Sequence, residues 1–286
     1  MDCKEKNSNK CRTTTSLFRK ILMKKKDEMG RRRSLILAKI YENANQFEDM
    51  LECMKMNICN RNNETSSVSV EERNMFSISY LRVLDRKKRG LRAAQRRLRK
   101  IRDDRKTRSR KMLTSLREDI INISTNIHDI VLNFALPATQ RFEPDSESEM
   151  EMKEETVVFW LKMLGDCNRH VAEIQQNGTA RGKSINMALR FYSRASRTAA
   201  ITLLPTSQIR LGLALNFASF HVDVCKDPDS ALSVLDLAYQ DAFAENSTST
   251  TSNQTVVFLL GKISLKIDNL KRAQQNEKRR KSPSLE

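Results

Sequence analysis

Residues 204–217, Leu-Pro-Thr-Ser-Gln-Ile-Arg-Leu-Gly-Leu-Ala-Leu-Asn-Phe, constrain the fold more than any other stretch of the chain. Two rules pull on them in opposite directions. Ile209, Leu211, Leu213, Leu215 and Phe217 alternate with Arg210, Gly212, Ala214 and Asn216, and such alternation argues for a half-buried strand. Leucine and alanine favour helix, however, and Pro205-Thr206-Ser207 is a good helix start. As a helix the segment is apolar nearly all round. It then belongs at the centre of the molecule, with Gly212 and Ala214 letting a neighbouring helix come close. Asn216 becomes a side-chain amide on an otherwise apolar element, and its residue type fits a satisfied core position as well as a ligand contact.

The rest of the composition suits long helices. Seven Gly and five Pro in 286 residues leave few tight turns, and 39% apolar residues are enough to bury a core. No apolar run is long enough to span a membrane, and no secretory leader is evident, so a cytoplasmic location is expected. Cys3, Cys11, Cys53, Cys59, Cys167 and Cys225 form no CxxC pair and read as reduced thiols. His128, His170 and His221 have no metal-ligand spacing with Cys or with one another. The chain carries no P-loop, G-x-S-x-G or H-E-x-x-H, so neither enzymatic activity nor a cofactor is expected.

The net charge of +17 is unevenly spread. Residues 86–111 hold 15 Lys/Arg against Asp103 and Asp104, while residues 1–33 hold 12 against 4 acids and residues 271–286 hold 6 against 2. These three segments carry +25, so the remaining body carries −8. Clustered cations of this kind neutralise phosphates without reading sequence, which makes nucleic acid or an anionic membrane a candidate partner of residues 86–111. The segment lacks interleaved aromatics, which argues against stacking on single strands. Lys278-Arg279-Arg280-Lys281 beside Ser282-Pro283 fits a nuclear import signal, a phosphorylation site or a solubilising tail.

Segment by segment, residues 1–30 read as a basic arm, 31–276 as one helical domain and 277–286 as a basic disordered tail. Within the domain the spacing predicts two helices over 34–60, then helices over 70–102, 111–134, 153–176, 181–201, 207–224, 229–245 and 254–276. Ser69 and Glu72 have capping-box spacing. Residues 137–155, with Glu143, Asp145, Glu147 and Glu149, read as an acidic loop that either is solvated or folds back onto the basic helix.

Three long motifs resemble the 14-3-3 family. Residues 205–217 resemble the family's P-T-H-P-I-R-L-G-L-A-L-N-F, with Ser207-Gln208 in place of His-Pro. Val70-Glu71-Glu72-Arg73-Asn74-Met75-Phe76-Ser77-Ile78-Ser79-Tyr80 is similar to V-E-E-R-N-L-L-S-V-A-Y. Residues 158–173, Val-Phe-Trp-Leu-Lys-Met-Leu-Gly-Asp-Cys-Asn-Arg-His-Val-Ala-Glu, match V-F-Y-x-K-M-K-G-D-Y-Y-R-Y-x-A-E in part. The resemblance runs from about residue 34 to 270. It implies an all-α antiparallel bundle of about nine helices with a concave amphipathic groove. It also implies a non-catalytic adaptor that binds phosphorylated client proteins in signalling, as a homo- or heterodimer.

Residue by residue, the resemblance puts Arg169 and Lys88 at two phosphate-binding arginine positions, Lys88 without the bidentate fork. His170 replaces a tyrosine, and is expected to bind phosphate better below a pKa of about 6.5. Leu81 stands where the family has a lysine. Arg82 is adjacent but about 100° round the helix, so it is not a substitute. Asp166 and Lys162 support the site. Asn216 matches an asparagine that holds the ligand main chain, with Leu215 and Ser219 as groove neighbours. Asn269 and Leu265 complete the groove if a two-residue insertion precedes them; otherwise Ile267 takes the asparagine position. The dimer contact falls at Ile40, Ala44 and Asp49. Its ion pairs are expected to be weakened, because Ser115 stands where Asp49 needs a lysine, and Gln46 where Asp119 needs an arginine. The alternative function is a chain of this fold that has lost phosphate recognition and binds polyanions through its basic segments.

Overall fold

A computed structural model describes residues 29–60, 68–100, 106–175, 178–248 and 253–281. The described residues form nine helices and no strand, the all-α arrangement that the resemblance implies. They are α1 (29–43), α2 (Phe47–Cys59), α3 (Val70–Leu98), α4 (from Lys106), α5 (Glu147–Ile174), α6 (Thr179–Thr202), α7 (from Gln208), α8 (Pro228–Thr248) and α9 (Gln254–Lys281). None is long and apolar enough to cross a membrane.

Helix α4 is longer than the spacing predicts, and both it and α7 accommodate a π turn. Helix α4 runs Lys106–Ile130, widens at Val131–Ala135 and closes with Leu136–Arg141. Pro137 lies just past the widened turn. Proline has no N–H and crowds the carbonyl four residues back, so a local change of helix pitch lets the chain continue through it. Helix α7 likewise passes from Gln208–Phe220 into a π turn at His221–Cys225, and Lys226 ends it with φ 60°.

The expected acidic loop is mostly helix. Only residues 142–146 lie outside helical structure, and α5 begins at Glu147. The Ser146 hydroxyl accepts from the Glu149 N–H at 3.2 Å, while the Glu149 carboxylate accepts from the Asp145 N–H at 2.9 Å. Ser69 and Glu72 share this Ser-x-x-Glu spacing at α3, where the Glu72 carboxylate accepts from the Ser69 N–H itself. Among the described residues, no ion pair joins 143–152 to 86–100. Glu155 instead holds the buried Arg73 guanidinium at 2.6 Å. At the other end, α9 continues to Lys281, five residues past its expected end. The arm up to residue 28, residues 101–105 and Ser282-Pro283 lie outside the described residues.

Helix α7 settles the conflict in its own sequence. Leu213, Phe217 and Phe220 pack into a large core shared with α1–α6, whereas Leu211 and Ala218 pack into a second cluster with Ala231, Leu235, Val256, Leu260, Ile263 and Ile267 of α8 and α9. A helix that joins two cores must be apolar on opposite faces, so its sequence alternates without being a strand. The expected close approach at Gly212 is absent, because a Cβ there would meet no atom within 4 Å. The close approach lies at Gly165 of α5, under the Tyr192 ring of α6.

Candidate functional site

Helices α3, α5 and α7 wall a cavity of about 360 Å³. Its lining mixes apolar side chains, Tyr80, Leu81, Leu84, Phe159 and Met163, with polar and charged ones, Ser77, Asp85, Lys88, Lys162, Asp166, Arg169, His170 and Asn216. Lys162, Asp166, Arg169 and His170 share one face of α5 because they stand three or four positions apart, or adjacent to one that does. Lys88 arrives from the exposed half of α3 and Asn216 from the middle of α7.

Asp166 organises this face. Its carboxylate accepts from the Tyr192 hydroxyl at 2.5 Å, from Lys162 Nζ at 2.8 Å and from Asn216 Nδ2 at 2.8 and 3.0 Å. Burial pushes the carboxyl up, but Lys162, Arg169 and His170 outweigh burial and bring it down to about 2. Asp166 is therefore a fixed anion at neutral pH. Glu173 is the second anion. It takes Arg169 Nη1 at 2.6 Å on one oxygen and Lys88 Nζ at 2.6 Å on the other. Burial opposes its charge, and the charges of Arg169 and Lys88 hold its carboxyl well below the usual range. Arg169 Nε also donates to the Tyr192 hydroxyl at 3.2 Å. Three cations (Lys88, Lys162, Arg169) thus converge on two carboxylates, which leaves the cluster positive.

The imidazole of His170 is pinned between cations. Lys88 Nζ lies 2.7 Å from Nδ1. An ammonium only donates, so Nδ1 is the acceptor and the proton of the neutral ring sits on Nε2. Arg169 Nη2 lies 3.4 Å from that Nε2. Burial, reinforced by Arg169 and Lys88, lowers the His170 pKa to about 4. This corrects the expectation of titration near 6.5: the side chain is a neutral donor at physiological pH.

The structure brings Lys88, Arg169, His170, Asp166, Lys162 and Asn216 together. Leu81 lines the same cavity in the place expected for a cation, and Arg82 points away to stack over Phe47 at 5.6 Å. Leu215 and Ser219 lie on α7 but do not line the cavity: Leu215 packs against the second core, and the Ser219 hydroxyl donates to the Leu215 carbonyl at 2.8 Å. Leu265 and Asn269 are exposed on α9 and do not line the cavity, while Ile267 is buried in the second core. Lys266 is the α9 residue that reaches α7, with Nζ 2.5 Å from Ser219 Oγ.

Two participants were missed by sequence reasoning. Glu173 stands four residues after Arg169, so helical spacing alone pairs them. Tyr192 acts across a helix–helix contact and leaves no local signal.

The basic segment is partly neutralised within the molecule. Arg86 bonds Glu48 at 2.8 Å, Lys87 bonds Asp119 at 2.7 Å, and Arg89 and Arg92 flank Asp85 at 3.3 and 3.9 Å. Asp119, expected to lack a partner, is therefore satisfied by its own chain. Ile40 is exposed on α1, and Ala44 and Asp49 are exposed beside it.

The all-α bundle thus holds a partly buried cluster of cations at the wall of an amphipathic cavity. Comparison with known proteins specifies the class. The family model "14-3-3 protein" matches residues 37–270. Protein BMH1 of Saccharomyces cerevisiae is 34% identical over 220 residues, covering 77% of this chain and 78% of its own length. A 14-3-3-like protein of Fucus vesiculosus is 35% identical over 212 residues (74% and 78%), and 14-3-3-like protein C of Glycine max is 31% identical over 216 (74% and 77%). The chain belongs to the 14-3-3 family. Membership places it among non-enzymatic adaptors and supports a phosphoprotein-binding role.

Proposed function

We propose that the chain is an adaptor that binds phosphoserine or phosphothreonine segments of other proteins in the α3–α5–α7 cavity. The observation that supports this is the pair of donors at the cavity floor. Nε2–H of His170 and Nη2 of Arg169 lie 3.4 Å apart, and neither is able to accept from the other. A phosphate oxygen placed before them satisfies both, and the dianion is further held by Lys88. Asn216 is already donating to Asp166, so its carbonyl oxygen remains to accept a client main-chain N–H. Phosphate recognition here uses one arginine, one lysine and a neutral imidazole, with Leu81 supplying no charge. The affinity expected is correspondingly lower than for a site with a further cation, because each lost charge-assisted hydrogen bond costs about 1.5–3 kcal/mol.

The test is a titration of a labelled phosphoserine peptide and its unphosphorylated twin between about 50 and 200 mM salt. Binding of the phosphorylated peptide alone, retained at the higher salt, supports the reading. Equal binding of both peptides that collapses with salt identifies a polyanion surface instead and overturns it. For assembly, Ile36, Leu37 and Ile40 form an exposed apolar stripe on α1 that fits pairing with a second chain. Sedimentation of wild type and Ile40→Asp checks this, with a shift to monomer expected in the variant.

A further inference from the structure

Lys266 is a cation that the phosphate cluster does not use. It stands on α9 and crosses to α7, where Nζ meets Ser219 Oγ at 2.5 Å. The Ser219 proton is committed to the Leu215 carbonyl, so the hydroxyl accepts from the ammonium with a lone pair. Ser219 is one helical turn beyond Asn216, about 5 Å along α7 from the residue that is tied to Asp166. Lys266 therefore brings a cation from α9 to α7, one turn from the cavity-lining Asn216.

Its surroundings differ from those of the other cations. Lys88, Lys162 and Arg169 each contact a carboxylate. Among the described residues, no carboxylate lies within ion-pair distance of Lys266, and Asp223 acts on it only from farther away. The ammonium is half-buried. Burial lowers its pKa, and the Arg169 charge lowers it further. One N–H is spent on a neutral hydroxyl, and among the described residues the other two meet no acceptor.

We propose that Lys266 is a specificity residue that reads an acidic side chain of the phosphorylated client, placed within about three residues of the phosphate. A carboxylate there supplies the missing counter-charge and replaces water lost by the half-buried ammonium, so selection is gained without a change at the phosphate cluster. The inference rests on the phosphopeptide reading above.

The experiment uses the full chain and a set of phosphoserine peptides with alanine at every flanking position, in which glutamate replaces one alanine at a time on either side. In wild type, glutamate at one position tightens binding by about fivefold or more. In Lys266→Met that preference falls to about onefold, while the all-alanine phosphopeptide binds within about twofold of wild type, which also reports an intact site. In Lys266→Glu the same position comes to favour lysine. Absence of any glutamate preference in wild type, or its persistence in Lys266→Met, overturns the assignment of Lys266 while phosphopeptide binding stands. Failure of wild type to bind any phosphorylated peptide overturns both.

Discussion

The Tyr192 ring lies so close over Gly165 that a Cβ on residue 165 would fall 2.7 Å from its Cδ1. That contact lets α6 approach α5 closely enough for the Tyr192 hydroxyl to reach both Asp166 and Arg169. Helix-interior glycine ordinarily costs about 1 kcal/mol relative to alanine, so the gain in approach must outweigh it. Gly165→Ala is expected to destabilise the protein by about 1–3 kcal/mol, through displacement of the ring, and to weaken phosphopeptide binding at the same time. Urea unfolding and peptide titration of one sample check both effects.

Asp166 is the anion on which Tyr192, Lys162 and Asn216 converge. Asp166→Asn keeps the shape and removes the charge that balances Lys162 and Arg169. Breaking a buried pair in this way costs about 3–5 kcal/mol. A fall in thermal midpoint of roughly 6–20 °C is the expected result, and an unchanged midpoint would show that the cluster does not stabilise the fold.

Acid should weaken the protein in stages. His170 titrates near 4 in the folded state, and an unperturbed histidine near 6.5 in the unfolded chain. Between those values the unfolded chain takes up a proton that the folded chain refuses. This contribution is therefore present above about pH 6.5 and is lost as pH falls toward 4. Asp166 and Glu173 are also depressed and extend the loss to lower pH. His170→Gln should flatten the stability profile between about pH 6.5 and 4 and leave the lower part in place. Denaturant midpoints measured across that range decide the matter.

Leu81 lines the cavity and is nearly half exposed, so a longer polar side chain there has room and solvent. Leu81→Lys adds a cation at the rim without breaking a buried contact. The expected gain for the phosphorylated peptide is about 5–10-fold, with little change for the unphosphorylated twin. Equal tightening of both peptides would assign the gain to general charge.

Much of this site was legible from the sequence because its parts share helices. Lys162, Asp166, Arg169 and His170 are spaced to face one way, and the motif around Asn216 fixes which helix lies opposite. What was illegible depended on contacts between helices. Gly165 carries the close packing expected of Gly212, and only the position of Tyr192 distinguishes them. Ser146 has the same capping spacing as Ser69, yet the acidic residues after it suggested a loop, although acids in a first helical turn are favourable. The pKa of His170 depends on Lys88, which is 82 residues away in sequence. On α9, exposed Asn269 and buried Ile267 were the two expected candidates, and Lys266, just before both, makes the contact with α7.

The most direct test of the central claim is a crystal structure of the chain with a phosphoserine peptide. The account predicts phosphate oxygens within hydrogen-bond distance of His170 Nε2 and Arg169 Nη2, with Lys88 Nζ turned toward them. A phosphate bound instead on the outer face of α3, with Lys88 and Arg169 still closed on Glu173 and the cavity free of peptide, would contradict it.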